Sequence, residues 1–218
     1  DTTPEGEQVN IYGNHVGSWN FAATAYLNQW KVKIYYEHYF DDHSQMFFQY
    51  GRWKDGHIGL EITFPKNRFI DTFVYEGLGT KDQTGPMLYD SFWGEFEEQI
   101  SAKDNYYNHY LYQGWQHWGM GIGNPLLPGP IYNKNGQITF ISNRVLAHHI
   151  GFCGSPCQSL SYRMLLSYSR HWGTYDNPLN EIKKQFNSLF EVTYAPQQLK
   201  GWSFTVSGAM DRGSILGN

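Results

Sequence analysis

LSYRMLLSYSRHW, residues 160–172, decides the fold when it is read at a period of two. Leu160, Tyr162, Met164, Leu166, Tyr168 and Trp172 fall in one set, interrupted only by Arg170. Ser161, Arg163, Leu165, Ser167, Ser169 and His171 fall in the other. Successive side chains of a strand point to opposite faces of its sheet, so this segment has one apolar face and one wet face. Wound as a helix it has no clean apolar stripe, because Arg163, Ser167 and Arg170 share a side. Tyr162 and Trp172 stand near the two ends of the apolar set. An apolar band between aromatic girdles, over a polar opposite face, is the pattern of a lipid-facing strand in an outer-membrane barrel. A strand of a soluble sandwich can carry it too, so the reading turns on repetition.

The pattern repeats. Trp19, Phe21, Ala23, Ala25 and Leu27 alternate along 18–27. After the turn 28–29, Trp30, Val32, Ile34 and Tyr36 alternate with Lys31, Lys33 and Glu37. Ile58, Leu60, Ile62 and Phe64 oppose His57, Glu61 and Thr63, and 69–76 returns less cleanly. Residues 138–152 read as a strand, as do 186–194 and 202–211. This predicts about eight strands in hairpins at about 18–40, 57–76, 138–172 and 186–211, with a long loop over 77–137. The connections are expected to alternate, short at 28–29, 65–68, 153–159 and 195–199 and long at 41–56, 77–137 and 173–185. Outer-membrane barrels sort their loops this way. Trp30, Tyr162, Tyr194 and Trp202 lie beside short turns, Trp19 and Trp172 beside long loops, as two interfacial belts require. The other set carries Lys31, Lys33, Glu37, Glu61, Arg163 and Glu191, a charged lining that suits a wide, hydrated lumen.

The expected fold class is therefore all-β, an antiparallel transmembrane β-barrel of outer-membrane type. Residues 1–218 form a single barrel segment, about half of a wider many-stranded barrel. An aromatic content of 18% and 23 glycines agree with an all-β chain rich in turns. No run approaches the roughly 18 apolar residues of a spanning helix. A net charge of −4 without a basic patch excludes nucleic acid as a partner. The polar start, DTTPEGEQVN, has no signal segment, and the abrupt end at Asn218 suggests a fragment.

The densest special composition lies in the long loop, as DNYYNH at 104–109 and GWQHWGMGIGNPLLPGPIY at 114–132. Sugars present an apolar CH face and a hydroxyl rim. Tyr106, Tyr107, Trp115 and Trp118, with His109, His117 and Asn124, offer flat rings beside donors and acceptors and are the candidate carbohydrate ligands. The competing reading is a loop packed on its own aromatics inside the lumen. Asp41, Asp42 and His43 with Glu37 and His38 lack the spacing of a calcium loop. Glu95, Glu97, Glu98 and Asp104 are acids of a kind that glycosidases pair, but clustered loop acids are usually solvated. No catalytic residue, metal or cofactor is assigned. His148 and His149 are adjacent on a strand and so point to opposite faces. Cys153 and Cys157 sit in a turn, CGSPC, where a disulfide is open but not required.

Several of these blocks are familiar together. QHWGMGIGNPLL at 116–127, DNYYNH at 104–109, RVLAHHIG at 144–151 and YSRHWGTYDNP at 168–178 resemble the capsule assembly protein family (Wzi-like), in particular its Bacteroidetes branch. YYEHYFDDHSQMFF at 35–48 and GRWKDG at 51–56 add to the likeness. The resemblance implies a wide barrel in the bacterial outer membrane that binds capsular polysaccharide, helps attach it to the cell surface and catalyses nothing. Its implied surroundings are capsular polysaccharide and outer-membrane lipid, and its implied state is a monomer. The alternatives are a secreted soluble β-protein acting on glycans, as a glycoside hydrolase or a binding module, and a general porin.

Overall fold

The computed structural model describes residues 17–40, 55–67, 69–83, 87–88, 100–101, 105–108 and 115–215. Eight strands form one antiparallel sheet, taken in chain order: β1 (Gly17–Leu27), β2 (Trp30–Phe40), β3 (Gly56–Thr63), β4 (Thr72–Gly79), β9 (Val145–Cys157), β10 (Leu160–Gly173), β11 (Pro178–Tyr194) and β12 (Phe204–Gly213). Between β4 and β9 lie two separate two-residue ladders, β5 (Met87–Leu88) with β6 (Ile100–Ser101) and β7 (Gln116–His117) with β8 (Met120–Gly121). A single turn of 3-10 helix, Pro130–Tyr132, completes the described elements. No described helix is long and apolar enough to cross a membrane. The fold is all-β and consists of one large sheet.

The ladders fix the faces. Tyr162 pairs with Val192, Met164 with Phe190 and Phe152, and Leu166 with Ile150. These apolar side chains share one face with Ile34, Ile58, Phe204 and Val206 through the remaining registers. Lys31 meets Glu61 at 3.3 Å, and Arg163 meets Glu191 at 3.3 Å, on the other face. Toward the end of the sheet that carries the long loop, burial runs opposite to that of a soluble protein. Ile34, Ile58, Phe190, Phe204 and Val206 are exposed, while Ser169, His171 and Gln185 on the polar face are buried. Aromatic pairs gather on the apolar face near the short turns. Trp30 and Phe64 have ring centroids 5.1 Å apart, and Tyr162 lies 6.4 Å from Phe152 and 6.5 Å from Phe190. At the opposite end Trp172 receives Lys81 at 4.8 Å and Arg170 at 5.4 Å over its ring.

The sheet curls around its polar face. Ser18 on β1 and Asn187 on β11 line one cavity of about 850 Å³. Six strand spacings of about 4.8 Å would separate those strands by roughly 29 Å in a flat sheet. A compact void of that volume is only roughly 12 Å across. No closure follows, since β1 and β12 are the two edges and no ladder joins them among the described residues. Outward and inward faces of β12 are both exposed over nearly its whole length.

Several expectations need correction. The turns expected at 65–68 and 195–199 run over 64–71 and 195–203, because β4 and β12 begin only at Thr72 and Phe204, so the short–long alternation of connections does not hold after β10. Residues 173–185 are not a long loop: β11 begins at Pro178, so the connection from β10 is 174–177. Alternation fades there because Asn180, Glu181, Lys183 and Lys184 put polar groups on both faces, while the ladder continues past the apolar band. Residues 138–144 are not strand, because Phe140 turns away and is buried in the loop core instead. Cys153 and Cys157 belong to β9, not to a turn, and both thiols are free. Four residues of extended chain separate their Cα atoms by on the order of 12 Å, about twice what a disulfide spans.

Candidate functional site

A belt of polar side chains crosses the concave face from edge to edge. The Ser18 hydroxyl donates to Glu37 Oε1 at 2.7 Å, and Glu37 Oε2 lies 3.6 Å from His57 Nδ1. The other ring nitrogen of His57 lies 3.5 Å from Glu76 Oε1, which also accepts the Tyr35 hydroxyl. Glu76 is the register partner of His149, whose Nδ1 lies 2.7 Å from the Ser167 hydroxyl. Ser167 faces Asn187 across the next ladder, and Asn187 Nδ2 donates to Asp211 at 2.5 Å. Eight consecutive strands thus each contribute one polar group at matching depth. Alternation dictates this, since one residue of suitable parity per strand reaches that level of the inner face.

The belt forms one wall of the cavity, and the long loop forms the lid. Leu78, Val145 and Ala147 on the inner face pack with Leu127 and Phe140 from the loop, and Tyr39, Tyr107, Trp115 and Leu126 surround them. A polar frame fixes the lid. Asn143 Nδ2 donates to Asn105 Oδ1 at 2.6 Å and to the Tyr106 carbonyl at 2.8 Å, and Gln83 donates to Asn143 at 2.6 Å. Asn108 exchanges two bonds of 2.8 Å with the Phe140 backbone. Gly123, Asn124, Pro125, Leu126 and Pro128 then face the belt across the cavity. This loop folds onto the polar face, as a lumenal plug would.

The proposed carbohydrate ligands separate into three groups. Tyr106 is a support: it is 5% exposed and its hydroxyl donates to Asp55 at 2.8 Å. Tyr107 and Asn124 line the cavity, with the Asn124 N–H donating to the Tyr107 hydroxyl at 3.1 Å. Trp115 backs Tyr107, its ring stacked at 6.2 Å and an interplanar angle of 26°. His117 and Trp118 occupy the β7–β8 hairpin, edge to face at 6.2 Å, and Trp118 is 86% exposed. His109 lies outside the described residues, as do Asp41, Asp42, His43, Glu95, Glu97, Glu98 and Asp104. Glu37 and His38 point to opposite faces, so they do not ligate one ion together. No group of three metal-ligating side chains occurs among the described residues.

Tyr107 and Trp118 share a second property. Their φ angles are 68° and 52°, in the left-handed region that bulky side chains avoid. Such a conformation costs of order 1–3 kcal/mol and persists only where the surroundings impose it. Trp118 and Gly119 together fill a hairpin turn that Asn-Gly normally occupies. The loop thereby holds Trp118 out to solvent and Tyr107 in the cavity wall against Trp115 and Phe140.

His148 and His149 do face opposite ways, as expected of neighbours on a strand: His149 bonds on the polar face, while His148 meets the Tyr75 hydroxyl at 2.8 Å on the outer face, a choice between the two that the sequence left open. Ser18, His57, Glu76, Ser167, Ser169, His171, Gln185 and Asn187 were not singled out as site residues. Their signal was present as shared parity across strands, but depth within a sheet is set by stagger between strands, which a sequence does not display. Comparison with models of protein families, with curated proteins and with solved structures found no match to this chain.

Proposed function

We propose that this chain is a segment of a bacterial outer-membrane β-barrel that binds capsular polysaccharide and helps hold it at the cell surface. The observation that carries the reading is the inverted burial near the loop, with Ile58 and Phe190 exposed on one face while Ser169, His171 and Gln185 are buried on the other. Hydrocarbon stabilises the first face, and water with a folded-in loop stabilises the second. Two aromatic levels on the outer face fit the two membrane interfaces. Glycan binding is supported by the strained, exposed ring of Trp118 and by Tyr107 in the cavity wall. Capsule as the source of the glycan, and a binding role without turnover, rest on the sequence blocks that resemble the capsule assembly family.

Two measurements test this. The purified chain should need detergent or lipid vesicles to reach its β structure, and folding in plain buffer would favour a soluble glycan-acting protein. Deletion of the gene should release capsule from the cells with small-solute permeability unchanged. Altered permeability with capsule retained would make the protein a porin.

A further inference from the structure

We infer that the cavity beneath the loop, and not only the loop itself, takes a sugar segment, and that this segment is uncharged. The inference rests on the glycan-binding reading and adds the place and chemical class of the ligand.

Three independent observations carry it. First, the walls differ in character: Glu37, Glu76, Ser167 and Asn187 on one side oppose Pro125, Leu126 and Pro128 on the other. A pyranose ring has the same asymmetry, with hydroxyls around its rim and CH groups on a face. About 850 Å³ lies within the range of roughly 300–1,000 Å³ that small-molecule sites occupy. Second, the cavity wall contains polar atoms without partners among the described residues. His171 and Gln185 both line it and are 2% and 3% exposed, yet His171 Nδ1 and both polar atoms of the Gln185 amide make no hydrogen bond. Buried polar groups are rarely left unpaired, and an orphaned amide asks for an acceptor and a donor together. A hydroxyl is both. Third, the lining residues include two carboxylates, three histidines and no lysine or arginine, and His57 is already engaged by both carboxylates, 3.6 Å from Glu37 and 3.5 Å from Glu76. A uronate or phosphate would enter beside Glu37 and Glu76 with no guanidinium or ammonium to receive it.

The test is binding by the full chain in detergent micelles, or in buffer if no detergent is needed, followed by calorimetry and tryptophan fluorescence. Trp115 stacks on the cavity residue Tyr107 and serves as the reporter. The probes are maltohexaose, cellohexaose, xylohexaose and hexagalacturonate. At least one neutral hexamer should bind, with hexagalacturonate at least tenfold weaker. Gln185→Leu should weaken the neutral ligand at least tenfold, and Gln185→Glu, of nearly the same shape, guards against a folding defect by doing so with unchanged circular dichroism. Hexagalacturonate binding as tightly as the neutral hexamers would overturn the inference, as would failure of all three neutral hexamers to bind folded protein. Affinity lost in Trp118→Ala but unaltered in both Gln185 variants would leave loop binding standing and remove the cavity. The need for detergent and the retention of capsule report on the broader reading, so the two can fail separately.

Discussion

Asp55 is a carboxylate buried to 1% exposure at the entrance to β3. It accepts the Asp82 N–H at 3.0 Å and the Tyr106 hydroxyl at 2.8 Å. Burial nevertheless holds its carboxyl above the ordinary carboxylate range, outweighing these hydrogen bonds and a further one from the Gln83 backbone. The folded chain therefore keeps this proton over a window in which the unfolded chain has lost it. Stability from this group is complete below the ordinary value of 3.8 and is lost as pH rises through the folded value. Asn at this position still accepts from Asp82 and donates to Tyr106. Asp55→Asn should thus be more stable than the parent at pH 7 and no more stable at pH 3, measured by thermal unfolding. A gain of equal size at both pH values would contradict the assignment. The same residue explains a limit of sequence reading. Tyr106 has the composition of a sugar ligand, but its hydroxyl is engaged by a carboxylate 51 positions earlier, a pairing no local pattern announces.

Within the strands, two glycines provide lanes for aromatic side chains. Tyr35 lies across its register partner Gly59 and reaches Glu76 one strand further on, where a Cβ at position 59 would run into the ring. On the opposite face Tyr162 lies over its partner Gly154, and its hydroxyl donates to the Phe69 carbonyl at 2.6 Å. The first device ties three strands with one side chain, and the second ties two strands to the β3–β4 connection; each covers a bare stretch of backbone. Gly59→Val should cost about 1–3 kcal/mol through displacement of the ring. Tyr35→Phe should cost less, about 0.5–1.5 kcal/mol, since only a hydrogen bond is removed. Equilibrium folding into vesicles ranks the two variants, and the reverse order would exclude this role for Gly59. At this scale the sequence was largely readable. Alternation gave the faces of 18–36, 57–64, 160–172 and 186–194 because an apolar surface must stay contiguous across a sheet. It failed where the surroundings stop distinguishing the faces, as at Lys183 and Lys184, and where a loop core captured Phe140.

For the molecule as a whole, the decisive question is what each face of the sheet meets. Leu165 and Leu166 are adjacent on β10 at nearly equal depth and point to opposite faces. Leu166→Arg should cost roughly 2–4 kcal/mol of folding into vesicles, the penalty of a cation near the bilayer midplane. Leu165→Arg, facing the cavity side, should be tolerated. Equal damage from both would refute the lipid-facing assignment. Ser167 is a poorer inward control than its polarity suggests, because it is tied to His149. Curvature was expected and a loop packed inward was one of two readings, but which residues of the connection meet the strands was not legible, because that depends on how its described part folds back over them.

Both rims of the sheet, β1 and β12, end the ladder with eleven and ten residues of backbone. Water tolerates such a fringe of spare amides and carbonyls, but oil does not, at a cost of several kcal/mol per orphan. Any version of this protein that resides in a bilayer must have zipped both seams, to each other or to additional chain. In vesicles, therefore, deuterium should enter the main-chain amides of β1 and β12 as slowly as those of β10. Rapid labelling at either seam would mean that the sheet never met lipid along that side.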